Sequence, residues 1–294
     1  MTASKGFDGR NLLIALAPSA FVFLWSTGFV GVKLGLPHAE PFVFLGLRFA
    51  TTTVLVGGFM LISGVGLPPR RADIGHAMVV GALLHFTYIT GVLEALRHGV
   101  SAGVVALVAG LQPLATAALA GRLLHERVRP VQWLGLVLGF AGVALVVYAK
   151  LAIAETTVAG FAYAAMALFG VTSGTLYQKR FCAGIDLRAS IAIQIATAGL
   201  LCLAVATATE NFTVHWTGAF VFAVLWLAVV VSIGAFSLFM LMLRRGAAAR
   251  VTSLFYLTPP TTAVLGWLLF NETLGPLALA GMAVAVAGVA LANR

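Results

Sequence analysis

The chain has 294 residues, of which 61% are hydrophobic and 9% charged, with a formal net charge of +9. Ordinary soluble domains are about a quarter charged, and no soluble fold of this length could bury so much apolar side chain. The composition therefore excludes a soluble enzyme or regulator. It does not indicate nucleic-acid binding either, because Lys and Arg occur in short turns between apolar runs.

Ten apolar runs, each long enough to cross a bilayer, follow one another along the chain. They lack the alternation at every second residue that is typical of β-barrel strands. The sequence therefore predicts an all-α, polytopic membrane protein of ten transmembrane helices, preceded by a tail at 1–10. The predicted spans are 11–33, 41–63, 74–96, 99–121, 131–149, 157–178, 189–208, 217–243, 250–270 and 276–292.

The distribution of Lys and Arg predicts that both termini are cytoplasmic. With the N-terminus inside, fourteen basic residues fall on the cytoplasmic side and three on the opposite side, which are Lys33, Arg97 and Lys150. Merging two spans would invert the rest of the chain and destroy this asymmetry. The charge pattern thus supports ten spans.

Span 1 carries Trp25 near its middle, where an indole can line an apolar cavity or pack in the core. Gly28 follows as a candidate hinge. Arg48, in span 2, lies deep in a span, and three interpretations are open. Its side chain could snorkel to the outer interface, pair with Glu94, or bind a substrate carboxylate.

Span 3 carries His85 near the predicted midplane, with Tyr88 three residues on and Gly81 four residues before. In a regular α-helix this spacing puts all three on one face. The His–Tyr pair could hydrogen-bond a substrate or bind a proton in transit. A core histidine bonded to a neighbouring helix is the alternative.

Two spans are predicted to be interrupted by proline. Gln112 precedes Pro113 in span 4, and Tyr256 lies three residues before Pro259 in span 9. Proline removes a backbone hydrogen bond, so the freed carbonyl and the neighbouring polar side chains become available to a substrate. A kink that only shapes the bundle is the alternative interpretation.

Span 6 carries Tyr163, Ala167, Gly170, Gly174 and Tyr177 at alternating spacings of four and three residues. Small residues on one stripe let helices approach closely, which predicts a packing seam with Gly174 as a hinge. The terminal tyrosines are candidates for the cavity wall.

In span 8, Phe236 is a further candidate for contact with a substrate.

The chain repeats itself at an offset of 146 residues. Between 99–146 and 245–292 there are 16 identities in 48 positions. Pro113 matches Pro259 and Glu126 matches Glu272, residues that an apolar composition does not explain. The sequence therefore predicts a first repeat at 11–149, a connecting loop at 150–156 and a second repeat within 157–294.

Each predicted repeat has five spans, so the second enters the membrane from the opposite side. Inverted repeats are typical of secondary transporters, which bind substrate between the two halves. A duplicated membrane protein without transport is the alternative.

Several motifs, in this order and spacing, resemble the ten-helix EamA-type exporters of the drug/metabolite transporter superfamily over essentially the whole length. They are Leu24-Trp25-Ser26-Thr27-Gly28-Phe29, Leu47-Arg48-Phe49, Gln112-Pro113, Glu126-Arg127, Tyr256-Leu257-Thr258-Pro259 and Gly266-Trp267 running into Asn271-Glu272. The resemblance implies export of amino acids or similar metabolites across a bacterial inner membrane, and is nearest to YddG-type exporters of aromatic amino acids. Val171 departs from the pattern where family members often carry Trp.

The predicted function is export of neutral, chiefly aromatic, amino acids by alternating access, or of drugs or other metabolites of the same superfamily. A membrane-embedded enzyme is the alternative from another class, but no HExxH, Cys nucleophile with a base, or paired acids lie at depth. The partners are a small-molecule substrate and lipid, with no cofactor, metal or nucleic acid.

Overall fold

The computed structural model describes residues 9–100, 102–148, 157–270 and 275–294. Within these ranges the chain is helical apart from short connections and forms no β-strand beyond one isolated bridge between Ala39 and Val214. The all-α prediction is confirmed. The predicted loop at 150–156 and most of the predicted tail lie outside the described residues.

The helical segments are numbered α1 to α10 in chain order. They are α1 (Gly9–Gly35), α2 (Pro41–Ile62), α3 (Arg71–Arg97), α4 (Ala102–Ala109 and Gln112–Leu123), α5 (Pro130–Tyr148), α6 (Val158–Phe181), α7 (Leu187–Thr209), α8 (Gly218–Arg245), α9 (Ala248–Ser253 and Thr258–Phe270) and α10 (Pro276–Ala292).

Eight helices, α1 to α8, are long and apolar enough to cross a membrane. The segment α10 has 17 residues, and α9 is helical in separate pieces. The protein is therefore a multi-pass membrane protein with eight spans by this criterion, and the predicted total of ten is not established by length alone. The structure also begins α1 at Gly9, within the predicted tail.

Local sequence explains where several helices begin. Proline occupies the first position of α2, α5 and α10, where its missing N–H costs no helical hydrogen bond. Side-chain oxygens of Thr157, Asp186 and Thr217 accept backbone hydrogen bonds at the starts of α6, α7 and α8. These caps satisfy N–H groups that a helix leaves unpaired at its start.

Helices of the first half pack mainly on helices of the second half. The segment α1 packs on α8 and α9, and the corresponding α6 packs on α3 and α4. The pairs α5–α10 and α2–α7 each join equivalent helices. This pattern is what a two-fold relation between the halves would produce.

The pair α5–α10 shows the direction of that relation. A Cβ added at Gly135 would lie 2.3 Å from Ala292 N, and one at Gly142 would lie 2.3 Å from Ala285 N. As α5 advances, its contacts therefore move backward along α10. The two equivalent helices are antiparallel, and glycine permits backbone contact between them.

Two helices contain a π-helical segment at equivalent positions. In α3 it is Gly81–Thr87, and in α8 it is Leu227–Ala235, so the first residues are 146 apart. The prediction of a regular α-helix around His85 is therefore wrong. A π turn changes the helical periodicity, and π segments are frequent at functional sites.

The interruptions in α4 and α9 also lie at equivalent positions. Turn residues Gly110 and Leu111 precede Gln112-Pro113, and the 3-10 turn Leu254–Leu257 precedes Thr258-Pro259. The structure thus breaks both helices just before the prolines. Whether these breaks act as hinges stays a prediction.

We expect a Gly288→Ala substitution to destabilise the protein, because the added Cβ would lie 2.2 Å from Gly139 N on α5. Backbone cannot move aside as a flexible side chain can, and overpacking of this kind costs about 1–3 kcal/mol. Thermal unfolding in detergent measures the effect. Gly57→Ala in α2 is the matched control, because no atom lies within 4 Å of that Cβ. Equal unfolding temperatures for the two variants would contradict the packing described.

Candidate functional site

An aromatic cluster joins α1, α8 and α9 inside the bundle. Trp25 lies 5.1 Å from Phe255 in a T-shaped arrangement, and Phe21 lies 5.7 Å from Phe239 in a stacked one. Phe239 lies 6.1 Å from Phe236, which extends the cluster along α8. Edge-to-face and offset rings form favourable contacts with one another and with planar ligands. The structure thus brings predicted site residues Trp25 and Phe236 into one connected cluster.

His85 joins this cluster from α3. Its ring lies 4.3 Å from Phe236 and 6.2 Å from Phe49 in α2, and the residue is only 7% exposed. Its Nε2 atom has no hydrogen-bond partner among the described residues. Because an unpaired buried polar atom is costly, Nε2 is a group that a bound molecule or water could satisfy.

Tyr88 has different neighbours from His85. Its backbone N lies next to Gly170 of α6, where an added Cβ would approach it to 2.8 Å. The His85 ring instead contacts α2 and α8. The π segment between Gly81 and Thr87 accounts for the difference, since the expected shared face assumed regular α-helical periodicity.

The packing seam of α6 lies against α3. At Gly170 and Gly174 an added Cβ would meet α3 at 2.8 Å, in the backbone of Leu83 and the side chain of Leu84 respectively. The hinge candidate Gly28 is less tight, because its added Cβ would lie 3.5 Å from Val231. The approach of α6 to α3 at Gly170 and Gly174 is therefore closer than the approach of α1 to α8 at Gly28.

Gln112 bridges α4 and α6. Its Nε2 donates to Thr175 Oγ1 at 3.2 Å, and Gln112 is buried at the first position after the break in α4. The nearby hydroxyls of Thr116 and Thr172 are buried and have no partner among the described residues. This side of the bundle interior therefore offers polar groups within an otherwise apolar wall.

The other three predicted tyrosines also lie apart from the aromatic cluster. Tyr163 contacts His98 at one end of α6, whereas Tyr177 OH hydrogen-bonds His76 Nδ1 at the other, at 2.8 Å. Tyr256 is fully buried and packs where a Cβ on Gly139 would lie. Its hydroxyl has no partner in the part of the chain that the structure describes.

A buried polar group that was not predicted from the sequence lies between α6 and α7. Gln194 Nε2 donates to Gln178 Oε1 at 2.8 Å and to Ser190 Oγ at 2.7 Å, and all three residues are buried. Two amides in apolar spans were the available signal. Gln194 backbone also touches Gly81, which places this group behind the π segment of α3.

Arg48 does not pair with Glu94, so that interpretation is wrong. Glu94 instead forms an ion pair with Arg97 at 3.0 Å and lies 3.8 Å from His98 Nδ1. Arg48 Nε donates to Ser232 Oγ in the π segment of α8, at 3.0 Å. The side chain is thereby directed toward the other half of the protein.

An ion pair connects two loops with the end of α6 at one end of the bundle. Glu126, between α4 and α5, forms a salt bridge with Lys179 near the end of α6. Its second oxygen accepts from Ala248 N at the start of α9, at 2.8 Å, and Lys179 also donates to Gly246 O. We call these residues the Glu126 latch. Glu272, its repeat equivalent, lies outside the described residues.

Glutamates connect loops at the opposite end as well. Glu210, after α7, accepts from the backbone N atoms of Phe42 and Val43 at 2.9 and 2.8 Å. Glu40 accepts from Asn211 N at 2.9 Å. Carboxylates at a helix start satisfy free N–H groups, so both ends of the bundle are held across the two halves.

Two cavities lie along α1. One of about 540 Å³ includes Pro18, Arg245, Arg250 and Asn293 in its wall. The second, of about 320 Å³, continues from Pro18 between α9 and α10. None of the predicted substrate residues lines either cavity, and the aromatic cluster is packed in this conformation.

A family model and individual relatives both show that the chain is similar to membrane transporters. The model of the EamA-like transporter family matches the chain twice, at residues 12–148 and 158–294. A protein named "Uncharacterized transporter YvbV" from Bacillus subtilis is 27% identical over 95% of this chain and 91% of its own length. "Uncharacterized inner membrane transporter YedA" from Escherichia coli is 27% identical over 92% and 88%.

A protein from Salmonella typhimurium named "Probable amino-acid metabolite efflux pump" is 26% identical over 91% of this chain and 90% of its own length. A crystal structure of another protein superposes with a TM-score of 0.81, covering 95% of this chain and 96% of the other at 22% identity. That likeness shows a shared fold. The relatives are named as transporters, which agrees with a non-enzymatic role.

We expect Glu126→Ala to lower the free energy of unfolding by about 1–3 kcal/mol, because it removes a mostly buried ion pair and leaves Ala248 N without its partner. Thermal unfolding in detergent measures the change. The control is Arg188→Ala, which removes the exposed pair with Asp186 and should change stability by less than about 0.5 kcal/mol. Equal losses of stability in the two variants would show that the Glu126 latch contributes no more to stability than an exposed ion pair.

Proposed function

The chain belongs to the EamA-like transporter family, and from this we propose that it exports neutral, chiefly aromatic, amino acids across the inner membrane by alternating access. The observation that carries this proposal is the aromatic cluster with His85, which lies where helices of both halves meet. Rings of α2 and α8 contact a buried imidazole with an unpaired nitrogen, and the cluster continues through α8 to rings of α1 and α9. Such a wall suits a ligand with a ring and a polar group.

The proposed topology is ten spans in two inverted repeats, with both termini cytoplasmic. The antiparallel contact of α5 with α10 supports inversion, because parallel repeats would place equivalent helices parallel. A second antiparallel contact adds to this: Gly46 lies against Leu203 and Gly199 against Phe49, in α2 and α7. Residues 11–149 and 157–294 form the two proposed units.

Alternating access requires that the two ends open in turn. The Glu126 latch closes the proposed cytoplasmic end, and the contacts of Glu40 and Glu210 close the opposite end. In our proposal the substrate reaches the aromatic cluster when one of these sets separates. The breaks before Pro113 and Pro259 and the hinge candidates Gly28 and Gly174 provide the proposed points of bending.

The substrate assignment draws on two arguments. A relative of similar length is named as a probable amino-acid metabolite efflux pump. The cluster itself favours aromatic substrates, since ring–ring contacts contribute about 0.5–1.5 kcal/mol each beyond burial. The other predicted wall residues, Tyr88, Gln112, Tyr163, Tyr177 and Tyr256, are proposed as secondary contacts that a change of conformation would bring toward the substrate.

The topology predicts opposite labelling of two engineered cysteines. Arg129→Cys should react with a membrane-impermeant maleimide only after permeabilisation, whereas Gly275→Cys should react in intact spheroplasts, since the two positions lie in loops that five-span repeats put on opposite sides. Both positions are exposed, and native Cys182 and Cys202 are buried, so background labelling should be low. Labelling of both positions in intact spheroplasts, or of neither before permeabilisation, would overturn the inverted topology.

The substrate site predicts that Phe236→Ala and His85→Ala reduce amino-acid counterflow in proteoliposomes at least about tenfold, because each removes a contact on the bound ring. Phe222→Ala is the matched control in the same helix, since Phe222 is 51% exposed on the outer surface. The panel includes drugs and phosphorylated sugars beside amino acids. Transport of drugs but not of amino acids would reject amino acids as the substrate class. Unchanged amino-acid flux in both variants would reject the proposed site.

A further inference from the structure

Arg48 is the charged residue that lies deepest in the described helices. It is seven residues from Pro41, the first residue of α2, whereas the other Asp, Glu, Lys and Arg residues of these helices lie within about a turn of a helix end. A cation at such depth is costly in hydrocarbon unless an anion, water or polar groups surround it.

The hydrogen bonds of Arg48 leave most of its donors free. A guanidinium carries five N–H donors, and the structure gives one side-chain bond, from Nε to Ser232 Oγ at 3.0 Å. Among the described residues no carboxylate lies within 4.0 Å of the group. Both terminal nitrogens therefore remain available to an anion.

The bond to Ser232 also argues against snorkelling. Ser232 is 2% exposed, and it belongs to the π segment of α8 in the opposite half of the protein. An arginine that reached for the interface would not be anchored to a buried hydroxyl. The Ser232 hydroxyl proton, in turn, has no acceptor in the described part of the chain, so it could add one donor to a bound anion.

Arg48 and His85 lie on the same aromatic residue. Arg48 Cζ is 5.4 Å from the centre of the Phe49 ring, and the His85 ring centre is 6.2 Å from it. On α8, Ser232 bonds Arg48 and Phe236, four residues on, contacts His85. Anion-binding donors thus adjoin the end of the aromatic cluster.

We infer that Arg48 and Ser232 form the subsite for the carboxylate of the substrate, with the substrate's ring directed toward Phe236 and Trp25. This inference rests on the proposed function and specifies its substrate as a carboxylate-bearing aromatic molecule. Arginine binds carboxylates through two parallel N–H donors, which fits the two free terminal nitrogens. Binding of the anion would also neutralise the deep cation, so the empty and loaded proteins differ in charge at this position.

The test compares L-phenylalanine with L-phenylalaninamide, which keeps the ring and amine but lacks the carboxylate. The readout is the ligand concentration that gives half-maximal thermal stabilisation in detergent. Wild type should bind phenylalanine about 10- to 100-fold more tightly than the amide, the factor expected for charge-assisted hydrogen bonds. In Arg48→Gln this ratio should fall to within about threefold. Arg97→Gln, which removes an exposed cation, should keep the wild-type ratio.

If Arg48→Gln does not fold, Arg48→Lys provides a second test. Lysine keeps the charge but lacks the planar guanidinium, so the ratio of amide to phenylalanine concentrations at half-maximal stabilisation should be intermediate. The inference is overturned if wild type prefers neither ligand, if neither ligand stabilises it, or if a folded Arg48 variant keeps the full ratio. Counterflow of phenylalanine is measured on the same preparation. An Arg48-dependent ratio without flux would reject amino-acid export while the carboxylate subsite stands.

Discussion

The backbones of α5 and α10 lie so close together that no Cβ fits between them at Gly135, Gly142 or Gly288. In lipid there is no hydrophobic gain from bringing two apolar helices together, so their association depends on van der Waals contact, which small residues maximise. Because these two helices are equivalent and antiparallel, their contact fixes the two-fold axis that relates the two halves. The pairing of α2 with α7, and of α1 and α6 with helices of the opposite half, follows from the same relation.

The centre of the bundle departs from regular helix at four places, which form two pairs of equivalent positions. The π segments of α3 and α8 and the breaks in α4 and α9 all recur at the 146-residue offset. Each departure leaves backbone or side-chain groups without the partners that a regular helix supplies. It is around these places that His85, Gln112, Ser232 and Tyr256 lie, so the irregular backbone and the candidate site coincide.

Several polar groups of the bundle interior keep hydrogen-bonding capacity that no residue in the described part of the chain satisfies. Gln178, Gln194 and Ser190 bond one another between α6 and α7, yet Gln178 Nε2 and Gln194 Oε1 have no partner among the described residues. Arg48 and His85 differ from them in position, because both contact rings of the aromatic residues on α2 and α8. Since unpaired polar groups are costly in a membrane interior, the leftover capacity of Arg48 and His85 beside these rings supports the proposed ligand site.

The sequence by itself determined the all-α class, the membrane setting, the family and the internal repeat, because apolar run length and a fixed offset are properties that local order carries. It also named Trp25 and Phe236, which the structure joins in one aromatic cluster, and put the helix breaks next to Pro113 and Pro259. Only the tertiary structure decided the rest. The π segment of α3 gives Tyr88 and His85 different neighbours. Packing between the two halves places Arg48 in hydrogen-bond contact with Ser232 and not with Glu94. Such outcomes depend on contacts between different helices, as between Arg48 and Ser232, which are 184 positions apart, and helical periodicity along the chain contains no information about them.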